Sequence, residues 1–265
     1  MPGTGGAAAM AEPMRVVFVT SDVTYVRDNY HSLVRRVCDR NALPEGVEPV
    51  GLVLLHVSRA VLLKNILGLP LVGAPQFAFT LARNLMRASL RDPRPEAAER
   101  AGVPVFRCDS VNRPEAVEWL RGRRPDLIVN MRTRNIYKDI VLGLPTIGCI
   151  NIHHGILPEN RGTMCDLWAW AEGRPVGFTI HWMNAKIDDG DILVRREVDV
   201  KGLRCYLDIP QASSRVEAQA LLDVLGRIRR EGRWVGIPNR TDAVDYRRNP
   251  TPAQIGMLRR KGLSL

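Results

Sequence analysis

The chain reads as an α/β protein built on a doubly wound, mostly parallel sheet, with a short helical extension at its C-terminal end. Three observations predict this. Short apolar runs rich in β-branched residues recur along the 265 residues. Stretches with helical spacing separate them, and this alternation is the mark of a right-handed, doubly wound sheet. Hydrophobic residues make up 45% of the chain, enough to fill a core without disulfide staples.

Residues 14–20 form an apolar, β-branched run, the usual opening strand of a parallel sheet. Ser21 and Asp22 follow as a turn and helix start, and residues 29–40 have helical spacing. Residues 47–57 make the second strand. Residues 60–82 are mostly apolar but are broken by Lys64, by Gly68-Leu69-Pro70 and by Gly73-Ala74-Pro75-Gln76. The uninterrupted apolar run of about 18 residues that a membrane span needs is therefore missing. Two short buried or amphipathic helices joined by a Gly/Pro turn are expected, with a monotopic or partner-binding surface as the alternative.

A charged helix is expected over 93–101, a third strand over 102–106 and a helix over 113–123. The fourth strand covers 125–130, a helix about 137–142, and the fifth strand 148–153. Beyond it come a helix at 161–172, a strand at 177–183, a loop at 184–190 and a strand at 191–200. A long amphipathic helix at 213–231 and a short one near 252–261 complete the reading. Residues 1–13 are Gly/Ala-rich and are expected to be a disordered leader, or sequence ahead of a start at Met10 or Met14. The α/β domain is then 14–205, and the C-terminal helical extension 206–265.

The formal charge is +10, carried mainly by arginines scattered along the chain. No block of five or more like charges forms, which favours a solvated basic surface over a nucleic-acid footprint. Either surface would attract an anionic small molecule. Cys38, Cys108, Cys149, Cys165 and Cys205 are odd in number and lack a Cys-x-x-Cys pair. That argues against a disulfide framework and a zinc site, and fits a reducing cytoplasm. No Gly-x-Gly-x-x-Gly follows the first strand and no Walker loop is present, so neither dinucleotide nor nucleoside-triphosphate binding is indicated.

Asn151-Ile152-His153 closes the fifth strand, and Ile187-Asp188-Asp189-Gly190-Asp191 follows in the later loop. Ligands of such sheets bind beyond the C-terminal strand ends. Asn151 and His153, two apart, share one face of the strand. An amide that cannot ionise, an imidazole and a carboxylate are the parts needed to carry an amine through attack on an activated carbonyl. Taken alone, Asn-x-His at a strand end is more often a plain loop, and Asp-Asp-Gly-Asp a turn or weak cation site. His153-His154 could pass for a metal pair, but adjacent strand residues face opposite ways, so no metal is expected.

The joint pattern is more specific: Asn-x-His, then Leu157-Pro158-Glu159-Asn160-Arg161-Gly162, then Trp168-Ala169-Trp170, then Gly177-Phe178-Thr179-Ile180-His181, then the Asp188 loop. This stretch resembles the folate-dependent formyltransferase family, which includes glycinamide ribonucleotide, methionyl-tRNA and amino-sugar formyltransferases. The resemblance implies a Rossmann-like formyltransferase fold, with 10-formyltetrahydrofolate as co-substrate and no metal. It implies that Asn151, His153 and Asp188 form the catalytic triad, with Asp189 and Asp191 as alternatives if the loop register differs. It places the pterin against Met131, Arg132, Arg134, Asn135 and Ile136, with Asp188 and Gly190. Relatives often have Gly-Tyr-Gly-x-Ile-Leu there, so the two extra arginines would reach the folate tail or an acceptor phosphate, or face solvent. On the acceptor side it points to His154, Gly155, Arg161, Met164 and Trp168; Arg161 has helix-entry packing as its plain role, and Trp168 core packing.

The acceptor implied is the amine of a small molecule, first a nucleotide-linked amino sugar or a secondary-metabolite amine. A tRNA acceptor ranks second, because some 65 residues follow position 200, too few for a tRNA-binding barrel and its linker. Tyr246-Arg247-Arg248-Asn249-Pro250-Thr251 resembles the ending of a bacterial subgroup whose acceptors are mostly undefined. A formyl-folate hydrolase and an idle folate-binding module are the further alternatives, and a homodimer is left open.

Overall fold

The computed structural model describes residues 12–240 and 246–265, so the leader expected over 1–13 lies almost wholly outside the described residues. The elements in chain order are β1 (Met14–Ser21), α1 (His31–Cys38), β2 (Val47–Leu55), α2 (Arg59–Leu71), α3 (Pro75–Leu90), α4 (Pro93–Arg100), β3 (Val105–Cys108) and α5 (Pro114–Arg123). Then follow β4 (Leu127–Met131), α6 (Asp139–Leu142), β5 (Gly148–His153), α7 (Cys165–Ala171), β6 (Gly177–Trp182), β7 (Ile192–Glu197), α8 (Asp208–Glu231) and α9 (Pro252–Arg260).

The strands join in the order β3-β2-β1-β4-β5-β6-β7. Pairing is parallel from β3 to β5, whereas β6 and β7 run antiparallel. The reversal of strand order falls between β1 and β4, which opens a crevice at the C-terminal ends of the strands.

Alternation along the strands feeds two cores. Val16 and Phe18 point to the face covered by α1 and α8, with Leu221, Leu225 and Ile228 buried against them. Val17 and Val19 point to the other face, where Val117 and Leu120 of α5 and Val141 of α6 cover them. Each such side chain contributes about 1.5–3 kcal/mol relative to exposure. The expected C-terminal helical extension is present, and its long helix α8 packs into the core of the sheet.

Two helix starts differ from expectation for physical reasons. α8 begins at Asp208, five residues ahead of position 213, because Pro210 sits in the first turn where its missing N–H is not needed. α7 begins at Cys165, not 161, because residues 161–163 pair instead with Arg247: Arg247 N–H donates to Arg161 O and Thr163 N–H to Arg247 O. Met164, at the helix entry, takes a left-handed conformation with φ 52°.

Candidate active site

β5 carries Asn151 and His153 to the C-terminal edge of the sheet, and β6 runs beside it so that His181 stands opposite Asn151 and Thr179 opposite His153. This register explains the Gly-Phe-Thr-Ile-His motif. Thr179 Oγ1 donates to Gly155 O at 2.7 Å and accepts from Leu157 N–H at 3.0 Å, pinning the loop that follows His153. His181 lies 3.2 Å from Asn151 Nδ2 through its Nε2. Its Nδ1 lies 2.7 Å from Trp182 O, which can only accept, so Nδ1 carries the proton and Nε2 accepts from the Asn151 amide. Burial pushes the His181 imidazole down to about 4, which keeps the ring neutral in this role.

Asn130, on β4, donates from Nδ2 to Asn151 Oδ1 at 3.0 Å. The Asn151 amide is thus oriented from both ends, and one of its two N–H groups has no partner among the described residues. A donor held this way costs no reorganisation when an oxygen gains charge beside it.

His153 is buried at the bottom of the same site. Its Nε2 donates to Asn160 O at 2.7 Å, which fixes the ring and leaves Nδ1 as the working nitrogen. Nδ1 faces Asp188 Oδ1 at 3.4 Å, and the same carboxylate oxygen lies 3.8 Å from His181 Nε2. Asp188 reaches this point from a left-handed backbone conformation, φ 50°, unusual for a non-glycine residue and of a kind concentrated at functional sites. Three contacts hold its loop. The Arg161 guanidinium donates twice to Ile187 O, at 2.9 and 2.7 Å. Asn239 Nδ2 donates to Asp188 O at 2.9 Å and Gly190 O at 3.3 Å. Gly190 packs so closely that a Cβ there would lie 2.0 Å from Trp182 O.

His154, the next residue, turns into a separate buried cluster. Its Nδ1 is 3.3 Å from Asp166 Oδ2 and its Nε2 is 3.4 Å from Glu217 Oε1. Arg132 pairs with Glu217 and donates to Tyr30 Oη at 2.7 Å and Ser213 Oγ at 3.2 Å. Tyr206 Oη donates to Asp166 Oδ1 at 2.7 Å, and Ser213 to Glu217. Burial holds the Asp166 carboxyl above the usual carboxylate range and pushes Arg132 down to about 10. Such a cluster ties α7 and α8 to the ends of β4 and β5, and breaking one side of it leaves an uncompensated charge.

The residues expected at the site divide accordingly. Asn151, His153 and Asp188 converge. Asp191 does not share in this contact, and Asp189 Oδ2 instead accepts from Asn184. Arg132, expected at the folate, the acceptor or solvent, is buried in the His154 cluster, and the Met131 side chain lies in the core. Arg134 and Ile136 remain accessible on the loop after β4, while Asn135 accepts from Val111 N–H and Ser110. Gly155 has no room for a side chain, since a Cβ would lie 2.6 Å from Asn160 O and 2.9 Å from His153 Nε2. Arg161 secures the Asp188 loop, Met164 packs against the apolar cluster that includes Leu167 and Tyr206, and Trp168 Nε1 donates to Arg248 O at 2.9 Å. Sequence reasoning missed Asn130, Thr179, Asn160, Glu217 and Asn239. Thr179 and Asn160 had a signal, their places in the Gly-x-Thr-Ile-His and Leu-Pro-x-x-Arg-Gly motifs.

The formyl transferase family model matches residues 80–225, more than half of the chain. A methionyl-tRNA formyltransferase of Citrifermentans bemidjiense is 32% identical over 180 residues, which are 60% of this chain and 57% of that protein. One from Geobacillus thermodenitrificans is 28% identical over 199 residues, 67% of this chain and 62% of that protein. The chain thus spans about three-fifths of the length of these relatives. Among solved structures, glycinamide ribonucleotide transformylase 1 from Symbiobacterium toebii superposes with a TM-score of 0.61 at 17% identity, covering 89% of this chain and all (100%) of that one. A sugar N-formyltransferase from Shewanella sp FDAARGOS_354 gives 0.55 at 20% identity, covering 88% and 76%. At these identities the superpositions speak for the fold, and the family match takes in both the Asn151–His153 strand and the Asp188 loop: the chain belongs to the formyl transferase family.

Proposed function

We propose that the protein transfers a formyl group from 10-formyltetrahydrofolate to the amine of a small molecule, a nucleotide-linked amino sugar or a secondary-metabolite amine. The observation that carries this reading is the Asn151–His153–Asp188 constellation, with one oriented amide N–H unused and the working histidine nitrogen facing a carboxylate. The chain's own groups fit a formyl-folate. Ile136 and Ile187 expose apolar surface on the two loops beside the site, and Gly190 lets the Asp188 loop pack closely on Trp182. A flat, amide-rich pterin needs such apolar walls with backbone partners. Arg134, Asn135, Ile136, Asp188 and Gly190 would hold it, and when bound it supplies the formyl carbon.

Each residue then has a defined task. The unused Asn151 N–H is offered to the carbonyl oxygen. An amine sheds one proton as it becomes a formamide; His153 Nδ1 can take that proton, with Asp188 oriented to stabilise the charged ring. The Asn160 carbonyl on Nε2 holds the imidazole in the tautomer this requires.

A small acceptor is favoured because described residues after α8 meet both site loops, Asn239 on the Asp188 loop and Arg247 and Arg248 on the Arg161–Trp168 stretch. Tyr246 feels the charges of Asp188, Arg134 and Arg161, and its hydroxyl is held up mainly by burial. A tRNA acceptor is the second reading, favoured by the names of the sequence relatives and by the +10 charge. We place the protein in the cytoplasm, since its five cysteines are buried and unpaired.

The test is to incubate the protein with 10-formyltetrahydrofolate and a pooled set of amines: nucleotide amino sugars, amino acids, aminoglycoside fragments and charged initiator tRNA. Mass spectrometry should find one small amine heavier by a formyl group. Formylated tRNA alone would select the second reading, and formate released without an amine would point to a hydrolase. Tight folate binding with neither product would sink the transferase reading in favour of a binding module.

A further inference from the structure

The helical hairpin α2–α3, inserted after β2, carries surface that the formyl-transfer site does not use. Its inner face packs on the body of the protein through Leu62, Ile66, Leu81 and Leu85. Its outward residues are also apolar. On α2, Leu63, Leu67 and Leu71 are exposed and fall at i, i+4 and i+8, one stripe of the helix. On α3, Phe79, Met86 and Leu90 are exposed at i, i+7 and i+11, again one stripe. Leu71 is 89% exposed, Leu90 80% and Leu67 73%, far more than a solvated helix of a monomer needs to show.

Charge decides what would cover these stripes. From Ser58 to Arg91 there is no Asp or Glu, while Arg59, Lys64, Arg83, Arg87 and Arg91 are all basic. A cleft of about 440 Å³ opens beside the end of α3, with Arg35, Arg87, Arg91 and Arg100 on its walls. The one acid there, Glu96, is already shared by Arg91 and Arg100. Neither Arg35 nor Arg87 forms an ion pair among the described residues. Apolar stripes flanked by unneutralised cations match a bilayer surface: leucines enter the acyl boundary and arginines meet phosphate headgroups.

We propose that the α2–α3 hairpin docks the protein on a membrane surface rich in anionic phospholipid. The hairpin lies on the surface and does not cross it, since no helix among the described residues is long and apolar enough for a span. A second copy fits less well, because a two-fold contact through this face would oppose two sets of like charges. RNA fits less well, because the leucines would meet phosphates and only Phe79 offers a ring to stack on a base. The proposal does not depend on formyl transfer.

Vesicle flotation of the full chain tests it. The protein should rise with phosphatidylcholine vesicles containing phosphatidylglycerol and stay behind with phosphatidylcholine alone. Leu63→Gln/Leu67→Gln/Leu71→Gln should weaken partition at least about tenfold, from lost apolar burial. Arg87→Gln should weaken it about fivefold, the effect of one surface cation near anionic lipid. Phe79→Gln/Met86→Gln/Leu90→Gln on the other helix gives an independent loss should the first variant fail to fold. Unaltered partition in the folded variants, equal partition to neutral vesicles, or no flotation would overturn the proposal. So would binding of free glycerol phosphate or RNA without vesicles, or a concentration-dependent dimer that the leucine substitutions abolish.

Discussion

His153 and His154 are neighbours in the chain and opposites in setting. His153 is buried and His154 half-buried, and both face carboxylates. His153 has one nitrogen tied to a backbone carbonyl and the other facing Asp188, beside an Asn151 amide with an N–H to spare. His154 has both nitrogens turned to carboxylates, Asp166 and Glu217, with Arg132 as the permanent cation. The end of β5 makes this separation: His153 is the last residue of the strand, and His154 stands in the bend that follows, turned toward α7 and α8. Beside His153 an amide N–H is left for chemistry, whereas the His154 cluster is held by opposed charges, with His154 Nε2, Asp166 Oδ2 and Glu217 Oε2 lacking hydrogen-bond partners among the described residues.

The comparison can be broken at several points. The largest effect should come from Asn151→Ala, which removes the oriented donor and should lower the formylation rate per folded molecule about 100–1000-fold, with about 1–3 kcal/mol of stability lost from the partners it leaves unpaired. Gly190→Ala, whose Cβ would meet Trp182 O at 2.0 Å, must displace the Asp188 loop. A displacement near 1 Å should lower the rate about 100-fold, and steady-state kinetics with the identified amine would show it as a fall in kcat. Arg132→Met should act in the opposite way. It strips the cation from Glu217 and should cost about 3–5 kcal/mol in denaturant unfolding, with the rate per folded molecule far less affected.

Smaller effects sharpen the picture. Asn239→Ala removes two donations to the Asp188 loop and should lower the rate about tenfold, the equivalent of roughly one net hydrogen bond. The weakest signal is in pH. The folded His181 imidazole is pushed from its usual 6.5 down to about 4, so between these values the unfolded chain binds a proton that the folded protein does not. Stability should therefore be fully present above about 6.5 and fall as the pH drops toward about 4. Thermal melting across that window should show the fall, and His181→Gln should flatten its slope.

Much of this was legible in the chain. The strands announced themselves as apolar β-branched runs, and their alternation with helices pointed to the doubly wound parallel sheet that β1 to β5 form. Asn151, His153 and Asp188 were singled out by the joint pattern of motifs and its family resemblance, and the β5 edge and the Asp188 loop bring the three together. The His154 cluster was not, because Arg132 finds Glu217 on α8, and a lone arginine or glutamate in sequence looks like solvated surface. The same holds for Asn239, which reaches the Asp188 loop only after the chain has run the length of α8. His181 stood out as a motif residue, but its hold on the Asn151 amide depends on the β5–β6 register, which no local pattern specifies. The late start of α7 was hidden for a similar reason, since its partner segment lies at Arg247.

The central claim is that the two adjacent histidines divide chemistry from scaffold. The most direct measurement is the single-turnover rate of formyl transfer by His153→Ala and by His154→Ala, each normalised to its folded fraction. His153→Ala should lose about 100-fold or more, and His154→Ala should melt lower with its rate within about tenfold of the parent. Equal losses of rate in the two variants, or a His153→Ala protein that still transfers at the parent rate, would contradict the claim.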